Sequence, residues 1–187
     1  MNRLGEAGEK FRRILEIEPD NAEAHFFLAD LSERQNQFDA ALEGFGVVMR
    51  LDSTFPNARR RLAALLLSRR RNDDSTASRQ LLTEEVGILR DWKADKSGPQ
   101  PFNDSDLDEL GQTLLDAQMP AEAREVLGVL VERRPDSVEA LHGISVAAFQ
   151  LGEREAGVEW AQKALERDEK FVPAMHNLAV AAVQMRD

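Results

Sequence analysis

Residues 104–137 read DSDLDELGQTLLDAQMPAEAREVLGVLVERRPDS, and residues 138–171 read VEALHGISVAAFQLGEREAGVEWAQKALERDEKF. Both stretches are 34 residues long, and large apolar and small residues recur in them at the same offsets. The matching pairs are Leu107 and Leu141, Leu110 and Ile144, Gly111 and Ser145, Leu114 and Ala148, Ala123 and Gly157, Leu127 and Ala161, and Leu130 and Ala164. Apolar residues three and four positions apart predict amphipathic helices. The stretches are therefore two copies of one helix–turn–helix unit.

The period and the marker positions resemble the tetratricopeptide repeat, a pair of antiparallel helices. The same template fits residues 22–55, and the preceding IEPDNAEA (residues 17–24) is close to the turn between repeats of that family. Pro19 ends one helix there, and Asn21 is suited to cap the next. The resemblance implies an all-α fold, a right-handed superhelical solenoid of antiparallel helix pairs. We expect about ten helices, beginning near residues 5, 22, 39, 56, 75, 104, 121, 138, 155 and 172.

The template divides the chain into six segments. Residues 1–21 are the second helix of a truncated repeat, and 22–55, 104–137 and 138–171 are repeats. Residues 56–103 form a degenerate repeat with a lengthened second helix and a Pro/Gly linker, and 172–187 form the first helix of a truncated repeat or a cap. We therefore expect a piece of a longer array, of bacterial type. The alternative is that the apolar last helix pairs with another copy or another protein.

Composition excludes several classes of function. The chain has no cysteine, which rules out disulfides and thiolate chemistry, and it has no apolar run long enough to span a membrane. Residues 1–103 carry 16 basic and 17 acidic groups, a net charge of −1, whereas residues 104–187 carry 8 and 17, a net charge of −9. Such acidity disfavours nucleic acid and anionic lipid as partners. Residues 1–5 begin no apolar run of signal-peptide length, so we expect either a cytoplasmic protein, which this start favours over a periplasmic one, or one whose leader has been removed.

In the family that the chain resembles, the first helix of each repeat lines a concave groove. Transferring those positions implies a peptide-binding groove that contains Phe26, Asp30, Asp108, Gln112, His142, Val146, Phe149, His176, Asn177 and Val180. Phe26 and Asp30 stand where relatives that grip a carboxyl terminus have Lys and Asn, so that clamp is absent. We expect apolar anchors of a partner helix or extended peptide to bind there. The alternative is that the valines only pack against neighbouring helices.

A basic cluster offers a second surface for an acidic partner or a phosphate, formed by Arg60, Arg61, Arg69 and Arg70. The alternative is a solvated face paired with Asp73 and Asp74. His142 and His176 lie 34 residues apart on the same face of successive repeats, but no third ligand accompanies them, so we expect no metal site. His25 occupies a core position.

The sequence favours a binding function over chemistry. It contains no phosphate-binding loop, nucleophile elbow or zinc-protease motif, so we expect a non-enzymatic scaffold without a cofactor. We predict a protein–protein interaction scaffold that binds a peptide or helix of a partner. The alternatives are self-assembly through exposed repeat ends and an accessory domain of a larger enzyme, such as a transferase or hydroxylase.

Overall fold

A computed structural model describes residues 3–55, 57–69 and 72–184. This part of the chain contains ten α-helices and no strand, and none of the helices is both long and apolar enough to cross a membrane. The helices are α1 (Arg3–Ile17), α2 (Ala22–Arg34), α3 (Phe38–Leu51), α4 (Ala58–Arg69), α5 (Asn72–Asp95), α6 (Asp104–Asp116), α7 (Pro120–Arg133), α8 (Val138–Gln150), α9 (Arg154–Arg167) and α10 (Val172–Gln184). Each begins within three residues of its predicted start, which confirms the all-helical prediction.

Side-chain caps explain where several helices begin. Asn21 accepts a hydrogen bond from the Ala24 amide at 2.9 Å, as the sequence predicts. Asn103 forms a capping box with Asp106, in which each side chain accepts from the other residue's backbone amide. Such caps satisfy amide donors that the helix itself leaves unpaired. Helix α5 begins at Asn72, three residues before its predicted start near residue 75.

The turns between the two helices of a pair share one backbone feature. A residue with positive φ follows α2, α6 and α8, namely Asn36 (φ 60°), Gln118 (φ 57°) and Gly152 (φ 80°). This left-handed conformation ends a helix and redirects the chain within three residues. These short turns therefore keep α2 against α3, α6 against α7 and α8 against α9.

The helices form two compact units, Met1–Leu82 (unit 1) and Thr83–Asp187 (unit 2), and the boundary lies inside α5. In unit 1, fully buried Phe45 of α3 packs with Ala29, Ala41 and Leu65. The grouping of helices into the repeats 22–55, 56–103, 104–137 and 138–171 stays a prediction.

Close helix crossings hold unit 2 together. Leu127 of α7 is fully buried between two glycines, Gly111 of α6 and Gly143 of α8. A Cβ at Gly111 would lie 2.5 Å from Leu127 Cγ, and one at Gly143 would lie 2.6 Å from Leu127 Cδ1. Neither position has room for a side chain. The small residues of the sequence pattern thus let neighbouring helices approach closely, and this approach sets the spacing of α6, α7 and α8.

Candidate functional site

A cleft of about 450 Å³ opens in unit 2 between α8 and α10. Five of the side chains that the sequence assigns to the groove line it together: Val146, Phe149, His176, Asn177 and Val180. Residues outside the predicted set complete the wall, namely Gln150, Gly152, Arg154 and Ala181. The cleft therefore combines apolar side chains with amide, imidazole and guanidinium groups, a mixture typical of small binding sites.

Packing against neighbouring helices fixes the apolar wall. The Phe149 ring covers the backbone of Gly157 in α9, where an added Cβ would lie 2.6 Å from Phe149 Cε1. Ser145 donates a hydrogen bond to the Gly157 carbonyl at 2.7 Å and ties the same two helices together. On the opposite wall, Val180 is 41% exposed, whereas Ala181 beside it is buried. Phe149 thus serves both packing and cleft wall, and Val180 is available to a ligand.

His142 joins the two walls beneath the cleft. The Asn177 amide Nδ2 lies 3.1 Å from His142 Nε2, and Phe171 meets the imidazole ring edge-on at a centroid distance of 5.4 Å. Burial lowers the pKa of His142 below its ordinary value. A neutral ring with the proton on Nδ1 lets Nε2 accept from the Asn177 amide. His142 and Asn177 therefore form a polar link between α8 and α10 that depends on a neutral imidazole.

Of the two predicted residues of α6, Asp108 lines an acidic hollow together with Asp104, Ser105 and Glu139 among others. Burial raises the pKa of Asp108, the nearby carboxylates of Glu139 and Glu109 raise it further, and a hydrogen bond from Gln112 opposes them. Asp108 Oδ1 is shielded from solvent and accepts no hydrogen bond from the described residues. Asp108 thus lines a polar region separate from the cleft, and Gln112 hydrogen bonds to it.

In unit 1 the predicted groove residues pack against or pair with other side chains of the protein. The Phe26 ring packs against Phe27, Phe45 and Phe55 at centroid distances of 5.8, 5.4 and 5.0 Å. Asp30 pairs with Arg34 at 2.6 Å and with Arg61 at 2.8 Å. Burial alone would raise the pKa of Asp30, but hydrogen bonds from Arg34 and Arg61 lower it below its ordinary value. Contrary to the expectation from the sequence, Phe26 and Asp30 are therefore engaged in contacts within the protein and do not present a free surface to a ligand.

The arginine cluster does not form one exposed surface in the described residues. The Arg60 side chain is only 4% exposed, so its predicted place on an open surface is wrong. Arg61 pairs with Asp30 and with Glu33, the latter at 2.6 Å, and lies over the Phe45 ring. Arg69 pairs with Asp74 at 3.5 Å, as the alternative interpretation proposed. Arg70 lies outside the described residues.

The histidines have separate surroundings. His25 is half-buried, and its Nε2 lies 2.8 Å from the Pro19 carbonyl oxygen, so it links α2 to the preceding turn. His142 bonds Asn177, and His176 is exposed at the cleft. Within residues 3–55, 57–69 and 72–184, no group of three or more His, Asp or Glu side chains is arranged to hold a metal ion.

The sequence did not single out Arg154, although a turn signal points to it. Gly152 adopts φ 80° immediately after α8, which brings the first residue of α9 back beside the end of α8. The residue that follows the short turn therefore borders the cleft near the C-terminal end of α8. Gln150, the last residue of α8, and Gly152 in the turn line the cleft beside Arg154.

Helix pairs with small-residue crossings and an open face define a helical-repeat scaffold for protein interactions. A sequence model described as tetratricopeptide repeat matches residues 1–48, and another with the same description matches residues 109–170. The chain belongs to the tetratricopeptide repeat family, whose members are typically non-enzymatic scaffolds for protein partners. No curated protein matches the chain in sequence.

Solved structures of similar fold confirm the helical solenoid. YrrB, described as a TPR protein with an unusual peptide-binding site, has 18% identity and a TM-score of 0.69, covering 96% of this chain and 85% of YrrB. MamA from Desulfovibrio magneticus RS-1 has 17% identity and a TM-score of 0.65, covering 89% and 86%. Pseudomonas aeruginosa PilF has 17% identity and a TM-score of 0.67, covering 99% and 78%. At these identities the similarity concerns the fold alone.

Proposed function

We propose that the chain binds a peptide segment or helix of a partner protein in the cleft between α8 and α10. The observation that supports this is the convergence of Val146, Phe149 and Val180 with the polar groups of His176 and Asn177 in one cleft of about 450 Å³. A volume of this size accommodates one or two apolar side chains, and the polar groups beside it can bond a peptide backbone. The peptide-binding site for which YrrB is described is consistent with the same use of this fold.

The test uses a library of random peptides of about fifteen residues displayed on phage and selected on the purified chain. Enriched peptides are then measured by fluorescence anisotropy against wild type, Val180→Glu and Val183→Glu. Both valines are exposed on α10, at 41% and 69%, but only Val180 lines the cleft. Val183→Glu is therefore a control matched in helix, residue type and added charge.

We expect Val180→Glu to weaken binding about tenfold or more, because a carboxylate would have to be desolvated beside the apolar anchor. Val183→Glu should change the dissociation constant less than about twofold. Circular dichroism must show equal helix content for both variants. Enriched peptides that bind Val180→Glu as well as wild type, or no enriched peptides at all, would contradict the proposal.

The exposed face of α10 favours a second candidate function, self-association. Val172 and Val183 are each 69% exposed and Met175 is 42% exposed, while Ala174 and Ala181 on the inner face are buried. An exposed apolar helix face can pair with the same face of another copy. If it does, the mass measured by analytical ultracentrifugation should rise with wild-type concentration, and Val183→Glu should keep the protein monomeric. A monomer at all concentrations would exclude this candidate.

A further inference from the structure

Two carboxylates that line one hollow near the cleft form no ion pair with the described residues. Asp108 of α6 and Glu139 of α8 line one hollow of about 230 Å³, and neither forms an ion pair with the described part of the chain. Gln112 hydrogen bonds to Asp108 and extends towards α8, with its Nε2 3.2 Å from where a Cβ at Gly143 would lie. Helix α8 contributes Glu139 to the hollow and Val146 and Phe149 to the cleft, so a single helix connects the two.

The other charges around the hollow are already paired. Arg133 forms an ion pair with Asp104 at 2.9 Å. Arg134, which lines the hollow, lies 4.0 Å from Asp136. The uncompensated charge of the hollow is therefore that of Asp108 and Glu139. Since residues 104–187 also carry a net charge of −9, a cationic group would be attracted to this region from a distance.

The positions along α8 relate the hollow to the cleft. Glu139 lies seven residues before Val146 and ten before Phe149, which at 1.5 Å per residue places it about 10–15 Å from the apolar wall. The remaining charge at the cleft has the opposite sign, because Arg154 borders its other side. The groove of unit 2 is thus negative on one side of the apolar cleft and positive on the other.

We propose that the segment bound in this groove carries an apolar anchor and a lysine or arginine about 10–15 Å from it, with the anchor in the cleft and the cation between Asp108 and Glu139. This inference rests on the proposed function and adds the class of ligand. In an extended segment, that distance corresponds to about three to five residues. The opposite charge of Arg154 sets the direction, since a cation on that side of the anchor would be repelled.

The experiment selects the same random peptide library in parallel on wild type, an Asp108→Asn/Glu139→Gln double variant and the control Glu166→Gln. Glu166 is exposed on α9 and does not line the hollow or the cleft. The peptides enriched on wild type should carry Lys or Arg three to five residues from an aromatic or aliphatic anchor. Their affinity should fall about tenfold for the double variant and less than about twofold for Glu166→Gln. Raising the salt concentration should weaken wild-type binding and affect the double variant little.

A stability measurement separates recognition from folding. Ionised Asp108 is destabilised in the folded protein, so Asp108→Asn should raise the Tm while it weakens binding of the basic peptides. Peptides that need Val180 but lack Lys or Arg, or that bind the double variant unchanged, would overturn this inference and leave the proposed function intact. Peptides that do not depend on Val180 would overturn the proposed function itself. An acidic consensus next to the anchor would also overturn the inference.

Discussion

Helices α2 of unit 1 and α8 of unit 2 are both first helices in the predicted division into repeats, yet the surroundings of their predicted groove residues differ. Phe26, Asp30 and Glu33 of α2 are equivalent to His142, Val146 and Phe149 of α8. On α2 these residues pack against Phe45 and bind Arg61, whereas on α8 Val146 and Phe149 line an open cleft.

The first helix of the following predicted repeat, α4 after α2 and α10 after α8, explains why the two groove faces differ. Arg61 of α4 and Asn177 of α10 stand at equivalent positions. The long guanidinium side chain of Arg61 reaches back to two carboxylates, while the short Asn177 amide reaches only the His142 ring. An open groove therefore depends on a short residue in the neighbouring helix as much as on the groove residues themselves.

The largest effect should come from removing the aromatic ring that fills the groove of unit 1. Phe26→Ala should lower the free energy of unfolding by about 3 kcal/mol, because the ring contacts three other phenylalanines. Val180→Ala, in the open cleft of unit 2, should cost less than about 0.5 kcal/mol. Urea titration followed by circular dichroism measures both.

The two tryptophans make this comparison specific to each unit. Trp92 and Trp160 both lie in unit 2, so their fluorescence reports on that unit while circular dichroism reports on all helices. If unit 1 unfolds independently, Phe26→Ala shifts only the circular dichroism transition. Equal small costs for Phe26→Ala and Val180→Ala would mean that the groove of unit 1 is as open as that of unit 2.

The next effect concerns the helix crossing beneath the groove of unit 2. Gly111→Leu should lower the free energy of unfolding by about 1–3 kcal/mol, because Leu127 already fills the space beside Gly111. Gly128→Ala is the control, since nothing lies within 4 Å of a Cβ there. That change should stabilise the protein by up to about 1 kcal/mol through better helix propensity. A neutral Gly111→Leu would mean that the assigned crossing is wrong.

A smaller effect tests the ion pairs that close the groove of unit 1. A double-mutant cycle with Arg61→Met and Asp30→Asn should give a coupling of about 1 kcal/mol, since both side chains are largely shielded. The exposed pair Arg13 and Glu16, at 77% and 62% exposure, should couple by less than about 0.5 kcal/mol. Because its arginine partners lower the pKa of Asp30, its coupling should persist above the ordinary pKa and disappear as pH falls through the lowered value. Equal coupling in both pairs would remove the distinction between closed and exposed ion pairs.

The sequence was sufficient to predict the helices because their determinants are local. Helical periodicity and the Asn21 cap both act within one or two turns, and the structure confirms the ten helices in its described residues. The repeat period also indicated which residues of α8 and α10 lie on the same side, and five of these residues line one cleft.

The sequence could not predict whether each groove residue is open to solvent or paired, because this depends on side chains of another predicted repeat. Arg61 looked like part of a basic surface, yet it lies 28 and 31 residues from the carboxylates that bind it. Arg60 looked exposed by its charge, and its burial follows from its side of α4. In a degenerate repeat, the chemical character of one residue does not show which distant side chain it pairs with.

The smallest effect should appear in the pH dependence of the His142 link. Burial lowers the pKa of His142, so as pH falls below the ordinary value of about 6.5 the unfolded chain takes up a proton that the folded ring resists. Stability should therefore decrease between about pH 7.5 and 5.5 more in wild type than in His142→Gln. His176→Gln, which changes the exposed histidine of the same cleft, should retain the wild-type dependence. Thermal unfolding at both pH values measures the difference, and identical pH dependence in wild type and His142→Gln would show that a neutral His142 is not needed to join α8 to α10.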